Sequence, residues 1–140
     1  MWKIYRNDHS DLNFALGCLY CDAISLSEFK KWIELVIINS DVELIPNYFY
    51  DLLDFQDHLF HMKRIFGFDI INDLSTIDEY SIYGISYLRK NKVYESPIDK
   101  ESAILCLQKN PHILERFKKF FPFIDEIYLS NQGTKVNKDK

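Results

Sequence analysis

A chain of 140 residues, 47% hydrophobic and 16% aromatic, is long enough for one domain with a well-filled core and too short for two of ordinary size. Eleven Phe, nine Tyr and two Trp exclude a disordered chain, while four Gly and four Pro argue against a turn-rich sandwich or barrel. The formal charge of −4 is unevenly spread: residues 1–60 carry ten acids against four bases and residues 99–140 six against eight, which disfavours a phosphate-gripping protein and suits a basic partner.

The expected fold is all-α, a compact bundle of about five to seven helices around a central helix, with residues 1–128 as a single helical domain and 129–140 as a mobile polar tail. At the N-terminus, Trp2 and Ile4 alternate with polar residues, which suits a short strand or an extended arm packed on the bundle. A first helix follows from Leu12 to near Asp22, with Ser10 or Asp11 as its N-cap. The central helix is SLSEFKKWIELVIINS, residues 25–40. Ser25 and Glu28 form a capping-box pattern, and Leu26, Phe29, Trp32, Ile33, Val36 and Ile37 share one face. Leu35 and Ile38 widen that face, so neighbours are expected to cover most of the circumference.

Pro46 marks the start of a third helix carrying Tyr48, Phe49, Leu52, Leu53 and Phe55, and the apolar pattern continues through Phe66 to a stop at Gly67, as one helix or as two kinked near Gln56. Ser75 and Thr76 offer a cap for the next, with Asp78 and Glu79 in its first turn and Arg89, Lys90 and Lys92 at its end, where both signs agree with the helix dipole. Pro97 and Asp99 open another. Asn110 and Pro111 open the last, through Phe117, Phe120 and Phe121, with Pro122 closing it.

Candidate chemistry is sparse. Cys18 and Cys21 form a C-x-x-C, but Cys106 is the only further thiol and both members sit mid-helix, so two small buried side chains is the preferred reading. Asp54, Asp57, His58 and His61 have helical spacing that could place ligands on adjoining turns, yet no second segment completes a set, and neither metal nor cofactor is expected. His9 and His112 lack a carboxylate or nucleophile neighbour in sequence. There is no G-x-S-x-G, H-E-x-x-H or phosphate-binding glycine loop, which points away from an enzyme. Arg116, Lys118 and Lys119 alternate with Phe117, Phe120 and Phe121, whose spacing marks a core face edged by solvated bases rather than a nucleic-acid platform. An odd cysteine count, no signal-peptide pattern in MWKIYRNDHS and no apolar run of the ~18–20 residues a membrane span needs suit a soluble protein of the reducing cytoplasm.

What remains is an acidic, tyrosine-bearing stretch: Asp41, Glu43, Asn47, Tyr48, Tyr50, Asp51, Asp54 and Asp57. Carboxylates speed encounter with a positive partner and tyrosines add rigid contact area, so these residues are the candidate partner-binding set.

The layout from Leu12 to Phe66 resembles small bacterial immunity proteins of contact-dependent inhibition and related polymorphic-toxin systems. The resemblance is carried by FALGCLYCDA, ISLSEFKKWIELVI, an acidic spacer, a proline and YDLLDF, with Gly17, Ile24, Ser25, Glu28, Trp32 and Pro46 as the matching positions. It implies a non-enzymatic antidote that binds one cognate toxin domain, typically a nuclease, and blocks its active site or its access to substrate; the chain itself is expected to be a monomer or weak dimer. The basic C-terminal third departs from a nucleic-acid mimic and suits inhibition away from the nuclease active site. The other reading is a small cytosolic regulatory or adaptor protein that recognises another macromolecule through aromatic faces.

Overall fold

In the computed structural model, which describes residues 1–124, seven α-helices and two short 3-10 turns follow the chain: α1 (Ser10–Tyr20), α2 (Leu26–Ile38), α3 (Asn47–Leu53), α4 (Lys63–Phe66), α5 (Thr76–Leu88), α6 (Lys100–Lys109) and α7 (Pro111–Phe120). The turns, Val42–Leu44 and Leu59–His61, flank α3. The polar tail and the domain boundary expected at 128 lie outside the described residues.

Helix starts follow local chemistry. Ser25 Oγ accepts the Glu28 amide at 3.1 Å while Glu28 returns a carboxylate oxygen to the Ser25 amide at 2.8 Å, the reciprocal box that satisfies two orphan donors. Ser75 and Asp78 repeat it on α5, Asp99 caps α6 through the Ser102 amide, and Pro111 opens α7. The first helix differs from expectation. His9 occupies the N-cap position without a side-chain cap, because Asp11 lies in the first turn and its carboxylate is taken by the Lys3 amide at 2.8 Å.

Of the two forms the alternation allows, the short strand does not form; among the described residues there is only an isolated bridge between Tyr5 and Asp8. Two hydrogen bonds across so tight a turn leave no run of backbone to pair. The segment is instead an arm, with Ile4 buried and Trp2 edge-on to Trp32 and Phe120.

Past α3 the helical pattern breaks at Leu53. Asp57 Oδ1 accepts the His58 amide at 2.7 Å, a local side-chain bond that competes with helix continuation, and Gly67 at φ 75° ends α4 as expected.

The core joins all seven helices around rings. Trp32 is fully buried, ringed by Trp2, Phe29, Phe49 and Phe120 at centroid separations of 5.6, 5.8, 5.7 and 5.9 Å. Helix α1 is buried through Leu12, Asn13, Phe14, Ala15, Leu16, Cys18 and Leu19, so it lies as deep as α2. One end of α2 escapes: Ile38, expected to be covered, is 80% exposed, while Ile37 beside it packs on the core.

Helices α5 and α6 make the most intimate pairing, and Gly84 permits it. A Cβ on Gly84 would stand 2.6 Å from the Ala103 carbonyl oxygen and 3.0 Å from Leu107 Cβ. Gly84→Ala is therefore expected to destabilise by about 2 kcal/mol, an overpacking cost partly offset by alanine's ~1 kcal/mol helix preference. The contrasting site is Gly17, where an added Cβ meets the tip of Leu74 at 2.7 Å, which can rotate aside, and Ile82 Cδ1 at an ordinary 3.8 Å. Thermal melts of the two variants should show Gly84→Ala clearly below Gly17→Ala; the reverse order would refute the backbone-contact explanation.

Candidate functional site

Helix α3 divides its residues by period. Tyr48, Phe49 and Leu52 turn inward, whereas Asn47, Tyr50, Asp51 and Asp54 occupy the exposed face at spacings of three, four and seven. Asp41 and Glu43 precede this face on the exposed 3-10 turn, and Asp57 follows it. Of the expected partner-binding residues, Asp41, Glu43, Tyr50, Asp51, Asp54 and Asp57 thus reach solvent.

Tyr48 does not, and its assignment to the contact surface is corrected. It is 8% exposed, its ring packs edge-on against Phe49, Phe66 and Phe68, and its hydroxyl donates to the Ile4 carbonyl. Burial pushes its phenol well above the ordinary tyrosine range. The reason was present in the spacing, since positions 48, 52 and 55 share the inner face.

Apolar side chains stand among the acids. Ile38 is 80% exposed, Val42 71% and Phe60 68%. Phe60 is flanked by histidine rings, His61 at 4.0 Å and His58 at 5.7 Å, and His61 Nδ1 lies 2.7 Å from Asp57 Oδ2. The His58 amide first, then His61, hold the Asp57 carboxyl below the ordinary aspartate range, so it stays ionised. Sequence spacing sets Asp54, Asp57, His58 and His61 on adjoining helical turns. The break after Leu53 separates Asp54 from the others, and among the described residues no three His, Cys, Asp or Glu side chains converge as a metal-ion ligand set.

A second feature lies on another side of α1. A cleft of about 700 Å³ runs between α1, the start of α5 and residues 66–74, bordered by Asn13, Gly17, Tyr20, Phe66, Phe68, Asp69, Glu79 and Tyr83. Asn13 is buried and donates to Asn72 Oδ1 at 3.2 Å and Asp73 Oδ1 at 2.8 Å, which anchors the 66–74 segment. His9 anchors it again. Its Nε2 accepts the Ile71 amide at 2.9 Å while its Nδ1 faces the Tyr5 and Arg6 carbonyls at 3.1 Å, so hydrogen bonding selects the neutral Nδ1–H tautomer. None of this was legible in local spacing.

The remaining near-misses resolve simply. Cys18 and Cys21 are buried free thiols, with burial the main force lifting both; Cys21 is pushed up to about 12, and the Glu79 and Asp22 carboxylates add to the lift. His112 is exposed and within 3.8 Å of Asp78, a carboxylate that sequence proximity could not show. Arg116 lies over the Phe14 ring at 4.3 Å and pairs with Asp11 at 3.2 Å, while Lys118 and Lys119 are exposed and Phe117, Phe120 and Phe121 are buried. Among the described residues, no helix is long and apolar enough to cross a membrane. Comparison with protein-family models, with curated proteins and with solved structures finds no match to this chain.

Proposed function

We propose that this chain is an immunity protein of the bacterial cytoplasm, a non-enzymatic antidote that neutralises one cognate toxin domain, a nuclease, by direct contact. The observation that carries the reading is the outer face of α3 with its flanking turns, where Tyr50 and Phe60 stand exposed among Asp41, Glu43, Asp51, Asp54 and Asp57. A nuclease domain needs a cationic surface to hold phosphates, and an acidic face bearing aromatic anchors is complementary to such a surface. The excess of acids over bases in residues 1–60 acts in the same direction.

The roles should separate kinetically. Asp51, Asp54 and Asp57 are solvated, so their charges steer the encounter; Phe60 is the apolar anchor whose burial slows release. Reversal of all three acids to lysine is expected to lower the association rate about tenfold at low salt, with the deficit shrinking as salt rises. Phe60→Ala is expected to act mainly on dissociation. Surface plasmon resonance against a toxin domain from the producing strain gives both rates. Unchanged kinetics for the triple variant would remove this face from the interface, and no binding by the parent protein would refute the immunity reading.

A further inference from the structure

We propose that the cleft between α1, α5 and residues 66–74 is a socket for a cationic side chain, an arginine or lysine presented by a basic protein partner. Its volume, about 700 Å³, is that of a ligand pocket rather than a packing defect. The chemistry of its lining is selective. Four rings, Tyr20, Phe66, Phe68 and Tyr83, surround it, and two carboxylates, Asp69 and Glu79, stand at its border. Ring faces carry partial negative charge and carboxylates a full one, so the two together favour a guanidinium or ammonium over an anion or a purely apolar group.

The carboxylates have bonding capacity to spare. Glu79 Oε2 is held by Asn72 Nδ2 at 3.0 Å, which orients the group and leaves Oε1 without a hydrogen-bond partner among the described residues; Asp69 makes no hydrogen bond or ion pair there. Burial chiefly lifts the Cys21 thiol in the cleft wall, the Tyr83 hydrogen bond opposes that, and the nearby Glu79 and Asp22 carboxylates add to the lift. Among the described residues Lys63 is the sole cation in the lining, against two acids, and it competes with the proposed guest.

The walls are preformed. Phe66 and Phe68 back onto Tyr48 at 5.7 and 5.6 Å, Phe68 also onto the His9 ring at 5.1 Å, and His9 clamps Ile71. Walls packed from behind need less ordering when they take a guest. The cleft is larger than one side chain, so apolar residues on either side of the cation can settle against Leu16 and Ile70.

The inference deepens the reading of a basic partner, and its test uses no toxin. Titration of the intact ¹⁵N-labelled protein with the peptide acetyl-Leu-Arg-Leu-amide is compared with the same peptide carrying citrulline, the neutral isostere of arginine. Saturable amide shifts at Gly17, Tyr20, Asp69 and Glu79 are expected with the arginine peptide, with affinity about fivefold lower for citrulline. An Asp69→Asn, Glu79→Gln double variant, folded by its own spectrum, should abolish that preference, and Lys63→Met should strengthen arginine binding. Equal affinity for the two peptides, shifts that map elsewhere, or no saturation would overturn the proposal. Such a failure would leave toxin binding through α3 untouched, whereas loss of toxin binding would leave a positive peptide result standing.

Discussion

Trp32→Ala is expected to cost about 3–5 kcal/mol, a large share of a small domain's stability, and to lower the melting temperature by roughly 10–20 °C. The ring is fully buried and touches the N-terminal arm through Trp2, α2 through Phe29, α3 through Phe49 and α7 through Phe120, with the last nearly parallel at 7°. Alanine would leave a void bordered by four rigid rings, which collapse poorly into empty space. Trp32→Phe separates volume from polarity. The indole Nε1 is buried and has no hydrogen-bond partner among the described residues, so phenylalanine loses contact area but also removes an unsatisfied donor worth about 1–3 kcal/mol. The expected order is parent near Trp32→Phe, both far above Trp32→Ala. A melting temperature for Trp32→Ala within about 2 °C of the parent would show that this ring does not organise the core.

That Trp32 anchors the core was legible because the signals are local. A capping box, a repeat of three and four, and a bulky residue at its centre specify helix, face and anchor within a dozen positions. The same holds for Ser75 with Asp78, for Asp99 and for Pro111. Tyr48 was misplaced for a reason that composition obscures: tyrosine is equally at home half-wet and buried, and only its register with Leu52 and Phe55 shows which. The acidic residues of α3 could be placed because charge itself demands solvent. The cleft could not, since its lining runs from Asn13 to Tyr83 and depends on where two loop anchors, Asn13 and His9, hold residues 66–74.

Arg89 is the clearest case of a residue whose role is invisible in sequence. Its position at the end of α5 reads as a dipole-compensating base, but its side chain is 5% exposed and grips Glu28, 61 residues away, at 3.0 and 2.8 Å, while Nη1 also donates to the Ala23 carbonyl at 2.6 Å. The contact joins two helix ends of the same design. Helix α1 closes with Asp22 at φ 66° and bonds from Asp22 to Leu19 and from Ala23 to Cys18; α5 closes with Lys90 at φ 63° and bonds from Lys90 to Tyr87 and from Asn91 to Ser86. Both are Schellman closures, and side chains at the α5 end satisfy carbonyls left at the α1 end: Ser86 donates to Cys21, and Asn91 to Asp22.

Arg89→Met is accordingly expected to destabilise by about 3 kcal/mol, because it strands a partly buried Glu28 carboxylate whose remaining partner is the Ser25 amide. A Glu28→Met, Arg89→Met double variant should recover part of the loss, since the stranded charge is gone. Acid supplies an independent check. Burial raises the Glu28 carboxyl, but the Arg89 and Ser25 hydrogen bonds and the guanidinium charge outweigh it, leaving the folded value below the ordinary glutamate value of about 4.3. A carboxylate depressed on folding stabilises at pH above its unfolded value, and that contribution is lost as pH falls through the folded one. The stability gap between parent and Arg89→Met should therefore be full at neutral pH and narrow below about pH 4, while acids common to both proteins cancel. A gap that stays constant down to acid unfolding would show that Arg89 acts through packing of its stem and not through Glu28.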